Sequence, residues 1–260
     1  MPMAKEMSFW DHLEDLRRTL FRAAIVIVVA MVVVFLNKSI VFDVLIFSPR
    51  TSDFMLYRWM CALGEWLKMP GFCPEAFDIP IININMAAQF FTHISTSFWI
   101  GITLSFPYLI WEIWHFIAPA LYVHEKRSIG FAFAFSSFLF YLGVVVGYIF
   151  IFPLTIHFLG TYQVSELVAN QISLNSYISM FISLILIMGI MFELPVLAMI
   201  LSRFGIITRR FLRKYRRYAI VIVLVAAAII TPSADAFTML MVAIPLYLLY
   251  ELSILVCKKS

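Results

Sequence analysis

The chain is short of charge. Only 13% of its 260 residues are Asp, Glu, Lys or Arg, against about 25% in an average soluble domain. A globular protein of this length needs more polar surface than that, so a water-soluble fold is excluded. Cysteine is scarce too: Cys61, Cys73 and Cys257 are too few for a disulfide scaffold and lack a zinc-ligand spacing. The phosphate-cradling GxxxxGK[ST] pattern is missing, so no ATP-driven step belongs to this chain. The stretch His124–Ser128 reads HEKRS and lacks the second histidine of HExxH. His93, His115 and His157 are scattered. Neither a metal site nor a cofactor is expected, and an intramembrane enzyme lacks its nucleophile.

What is abundant is apolar. The apolar share is 63%, and the mean hydropathy is +0.96. Several runs reach the roughly 20 residues that cross a bilayer. The expected architecture is all-α, one polytopic membrane domain over 1–260, with six spans near 20–36, 87–114, 129–152, 177–202, 218–230 and 237–257. Pro153 is expected to end the third. The fifth has 13 apolar residues, roughly 20 Å of helix against a hydrocarbon core of about 30 Å; such a segment is either half of a re-entrant hairpin or, the preferred reading, a short span that thins the bilayer locally. No cleavage site follows the first run, so no cleavable leader is expected.

Residues 1–19 are polar. Phe9, Leu13, Leu16 and Leu20 share one helix face, and Ser8 with Asp11 makes a weak capping box. An amphipathic helix lying on the membrane surface is expected there. Residues 37–86 form a long loop, with a short helix expected over 54–67. The basic residues fix the sidedness. With the N-terminus inside, fifteen of nineteen fall on inner segments, and Lys38, Arg50, Arg58 and Lys68 share the first outer loop. The positive-inside bias places both termini in the cytoplasm. The net charge of +4 therefore speaks for membrane lipid and not for nucleic acid. Cys61 and Cys73 then face an oxidising compartment where a periplasm exists, and a disulfide between them is expected. Cys257, on the other side, should stay reduced.

Three carboxylates stand out. Asp15 and Glu125 both lie at the inner surface, where each could accept two hydrogen bonds from the planar fork of a guanidinium. Each charged hydrogen bond contributes about 1.5–3 kcal/mol, which suits selective, reversible capture of an arginine pair. The bland alternative is that they are solvated loop charges, Glu125 pairing with Lys126 or Arg127. Glu193 lies within an apolar run, at a depth that costs about 2.5–3.5 kcal/mol. Such a group faces a bundle interior or caps the break at Pro195, which deprives the Met191 carbonyl of its donor. Glu251 sits nearer the inner end, where snorkelling explains it. Trp99, Trp111, Trp114 and Tyr122 suit interfacial anchoring. The glycines at 143 and 147 lie inside a span. A proton-coupled transporter using Glu193 would require repeated halves, which the chain does not have.

The stretches FWDHLEDLRRTL (Phe9–Leu20), FIAPALYVHEKR (Phe116–Arg127), FELPV (Phe192–Val196), and TPSADAF with IPLYLLYE (Thr231–Glu251) resemble the TatC family, the core subunit of the twin-arginine protein translocase. The resemblance implies a cup-shaped bundle with short fifth and sixth spans in the bacterial inner membrane. It implies a receptor for twin-arginine signal peptides of folded cargo, exported on the proton-motive force. Its recognition carboxylates fall on Asp15 and Glu125, with Phe116 in the same site and Glu14 and Arg17 beside it. Its in-membrane glutamate falls on Glu193, near where TatA- or TatB-type single-span subunits dock. Pro49 matches a proline of the first outer loop. A homo-oligomer within a larger complex is also implied. The family usually has Glu where this chain has Asp15, and the adjacent Glu14 could serve in its place. TPSADAF lacks the usual glutamine, leaving Thr238 or Asp235, with Glu251 nearby, for the polar partner contact.

Overall fold

A computed structural model describes residues 9–69, 73–74, 76–118, 123–165, 167, 170–231 and 235–257, with the backbone alone at positions 9, 11, 12 and 123–128. Ten α-helices dominate it: α1 (Phe9–Leu36), α2 (Met55–Leu67), α3 (Ala88–Ile117), α4 (Val123–Val146), α5 (Phe152–Thr161), α6 (Leu174–Met191), α7 (Leu194–Arg203), α8 (Arg209–Lys214), α9 (Arg216–Ile230) and α10 (Ala236–Val256). Five helical stretches are long and apolar enough to cross a membrane: Leu13–Leu36, Ala88–Ile117, Ile129–Thr161, Leu174–Arg203 and Ala236–Val256. The sixth, α9, has 15 residues, or about 22 Å of helix. That is compatible with six segments, the fifth being short.

Two boundaries differ from expectation. The surface helix expected over residues 1–19 is not a separate element: from Phe9 onward it is the first part of α1. No glycine or proline interrupts 9–36, so nothing forces a bend at the membrane surface. Leu13, Leu16 and Leu20 are exposed along it. The capping box at Ser8 lies outside the described residues. The third span also runs on to Thr161. Pro153 does not end it, because the turn before it, Gly147–Ile151, is wound as a π-helix. Proline is tolerated in the first turn of the α5 segment that follows, where its missing N–H costs little.

Helices α4 and α6 pack at the centre. A Cβ at Gly143 would stand 2.5 Å from the Met188 carbonyl oxygen, and one at Gly189 would stand 2.8 Å from the Phe140 ring. Small residues are therefore what lets these two backbones approach. The glycines at 143 and 147 are packing residues of this kind. Met188, Leu184, Tyr177 and Phe152 fill the buried core around them.

One end of the bundle is closed by residues 37–86, here called the cap. It consists of a π-helical stretch (Ile40–Ile46), a 3-10 turn (Ser48–Arg50) holding buried Pro49, and α2. Three tyrosine hydroxyls fasten it to the spans. Tyr177 donates to the Ile46 carbonyl at 2.7 Å, Tyr57 to Pro153 at 2.7 Å, and Tyr148 to Leu45 at 2.9 Å. Burial pushes the Tyr57 phenol well above its ordinary range, so it stays a neutral donor. Cys61 and Cys73 are joined by a disulfide. Strand β1 (Ile81–Ile82) pairs in parallel with β2 (Ile172–Ser173), tying the cap to the loop before α6. Cys257, a free thiol, is buried.

Candidate functional site

The opposite end, here called the rim, carries the charge. On α1, Glu14 accepts from Arg18 at 2.8 Å and lies 3.7 Å from Arg17. These are pairs three and four residues apart on one helix, in the register that neighbours on a helix surface occupy. Asp15, by contrast, is exposed and makes no ion pair or hydrogen bond among the described residues. Of the two adjacent carboxylates, Asp15 is the open acceptor and Glu14 the engaged one. Phe116, in the last turn of α3, is half-buried. Glu125 stands in the first turn of α4, where the helix dipole favours negative charge. Its side chain lies outside the described residues.

Glu193 stands at the break between α6 and α7. Ser136 of α4 donates to one of its carboxylate oxygens at 2.6 Å. The other, Oε1, is buried without a protein partner among the described residues. The chain bends here because Pro195 sits in the first turn of α7. Glu193 thus bridges two helices at a discontinuity and does not cap α7 with its side chain.

Asp235 and Thr238 meet each other. The Asp235 carboxylate accepts from the Thr238 backbone N–H at 2.7 Å and also from its hydroxyl, capping α10. Aspartate at an N-cap needs no further reason than the orphan amides of the first turn. Glu251 does not snorkel alone. It lies 2.5 Å from Arg216 of α9 and 3.1 Å from the Tyr247 hydroxyl one turn earlier.

The sequence conceals a second arrangement of the same kind. Glu112, inside α3, is buried, with 3% of its side chain exposed. Tyr108, one turn earlier, donates to it at 2.6 Å, and Arg22 of α1 reaches it at 3.0 Å. The available signal was the repetition of tyrosine four residues before glutamate in two spans, YLIWE (Tyr108–Glu112) and YLLYE (Tyr247–Glu251). Each carboxylate could have been matched to an arginine near the inner end of an adjoining helix. Along α3 and α6 a groove of about 690 Å³ is lined by Thr92, Ser95, Ser176, Ser179 and Ser183. It runs away from the rim carboxylates.

A capped bundle of long apolar helices defines a polytopic membrane protein, and the comparisons make its class a protein translocase component. The family model described as "Sec-independent protein translocase protein (TatC)" matches residues 11–245. The TatC of Blattabacterium sp. subsp. Periplaneta americana is 37% identical over 251 residues, covering 96% of this chain and 94% of that protein. The TatC of Deinococcus radiodurans is 33% identical, covering 99% and 88%. A crystal structure of a twin-arginine translocase receptor, TatC, superposes with a TM-score of 0.70 at 32% identity, covering 94% of this chain and 97% of that one. The chain belongs to the TatC family.

Proposed function

We propose that the rim is a receptor for the consecutive arginines of twin-arginine signal peptides, with Asp15 and Glu125 as the two acceptors. The observation that carries this reading is Asp15 itself: an exposed carboxylate without a partner among the described residues, beside a Glu14 already occupied by Arg17 and Arg18. A free carboxylate accepts a guanidinium with two parallel hydrogen bonds. Phe116 supplies an aromatic neighbour on which the planar cation can stack. A solved relative at 32% identity is described as a twin-arginine translocase receptor, which supports this choice of substrate class.

In this reading the rim faces the cytoplasm, both termini with it, and the cap faces the periplasm, where its disulfide persists. The signal's apolar part lies along the bundle. TatA- and TatB-type single-span subunits assemble at the Glu193 face, with Asp235, Thr238 and Glu251 along its border, in a complex holding further copies of this chain. The proton-motive force drives export, and the chain performs no covalent chemistry. Replacing Glu125 with Ala is expected to abolish export of a twin-arginine cargo while membrane levels of the protein stay normal. Unimpaired export in that variant refutes the role.

A further inference from the structure

The geometry points to Glu112 as a positioning residue for signal-peptide recognition: with Tyr108 and Arg22 it forms a clamp that fixes α1, and so Asp15, against the end of α3. This inference rests on the receptor reading above and extends it to a residue outside the recognition pair.

Its basis is the placement of three groups on two helices. Glu112 is almost wholly enclosed, while the Arg22 side chain is 54% exposed. A carboxylate buried at that level needs its charge matched. Tyr108 donates one hydrogen bond from within α3 and Arg22 donates another across the interface. The phenol holds the carboxylate in one orientation, and the guanidinium has to come to it. The position of α1 is thereby set by a directional contact and not by shape alone. Below the clamp the two helices touch closely at Gly101, where an added Cβ would stand 2.9 Å from the Met31 backbone nitrogen. Two fixed points along one helix define its direction.

Helix geometry then carries the constraint to Asp15. Asp15 precedes Arg22 by seven residues, nearly two full turns, so the two side chains leave α1 on the same face, about 10 Å apart. Glu112 lies five residues before the end of α3. Asp15 therefore stands just beyond that end. Loosening the clamp frees the first turns of α1, where Leu13, Leu16 and Leu20 are all exposed. The neighbouring charges on α1 do not substitute, since Arg17 and Arg18 face Glu14.

The test uses full-length protein in detergent with spin labels at Leu13→Cys and Phe131→Cys, in a Cys257→Ser background, both labelled positions being exposed. Distances between the labels are read alongside binding of a fluorescent twin-arginine signal peptide. Glu112→Gln and Arg22→Gln are each expected to broaden the distance distribution and weaken peptide binding about tenfold, near the worth of one charged hydrogen bond. The charge-exchanged pair Arg22→Glu with Glu112→Arg is expected to recover both. A distribution unchanged in both single variants overturns the clamp, and so does broadening without loss of binding or a failure of the exchanged pair to recover. Lack of peptide binding by the unsubstituted chain contradicts the receptor reading instead. The two failures are separable because the distance measurement uses no peptide.

Discussion

The two ends of the molecule solve opposite problems. At the cap, charged residues such as Lys38, Arg58 and Glu65 are exposed, but the groups that fasten it to the spans are neutral and turned inward. Tyrosine hydroxyls meet backbone carbonyls, a disulfide closes the loop, and Phe54, Tyr57 and Phe77 interlock edge to face. At the rim, Asp15 has no ion pair among the described residues and the buried Glu112 is held by a cross-helix contact, as the half-buried Glu193 is at the α6–α7 break. Neutral donors bonded to backbone fasten the cap in place. On the receptor reading, a carboxylate with no ion pair among the described residues is completed when a cation arrives. The lesson is that stability and recognition are drawn from different residues here, so they can be lost separately.

Substitutions can break that separation if it is false. The largest effect is expected where both ends depend on one joint. Gly143→Leu would drive side-chain atoms into the Met188 carbonyl and the Phe192 ring, and overpacking of this sort costs about 1–3 kcal/mol or more. The protein should be depleted from membranes, read by immunoblot. Next, Cys61→Ser with Cys73→Ser removes a cross-link spanning 12 residues, worth about 3 kcal/mol by chain-entropy reasoning. The midpoint of thermal unfolding in detergent should fall while peptide affinity is retained. Tyr177→Phe leaves the buried Ile46 carbonyl without its donor and should cost about 1–3 kcal/mol, again with affinity intact. The smallest effect sharpens the comparison at the rim. Glu14→Gln breaks only exposed pairs, worth about 0.3–0.5 kcal/mol at most. Export should continue near normal levels, whereas Asp15→Asn should reduce it with unfolding unchanged. Equal losses in the Glu14 and Asp15 variants would erase the distinction between an engaged and an open carboxylate.

The spans and their order were legible in the sequence because bilayer crossing is written in run length and composition, and each segment carries its own signal. The short helix of the outer loop was legible for the same reason: expected over 54–67, it is found at Met55–Leu67. What escaped depends on partners far away in the chain. Ile81 pairs with Ile172, and no local pattern marks a two-residue strand. Glu112 finds Arg22 ninety positions earlier. Read alone, it is one charge near a span end. The continuity of α1 was missed because a change in composition at residue 20 suggests a boundary, while the backbone has no breaker there. Pro153 misled in the opposite sense: proline stops a helix only where no adjustment such as a π turn absorbs it. Of the proposed site, the candidate residues could be named from the sequence, but not which of Glu14 and Asp15 makes ion pairs along α1.

The most direct measurement is site-specific photocrosslinking from position 124, beside the retained Glu125, with the photoreactive residue placed there in the full-length chain in membranes and a radiolabelled twin-arginine signal peptide added. The account predicts an adduct with the arginine-bearing peptide that is lost when both arginines become lysines, since an ammonium cannot present the bidentate fork. Equal adducts with both peptides, or none with either while the protein remains in the membrane, would contradict it.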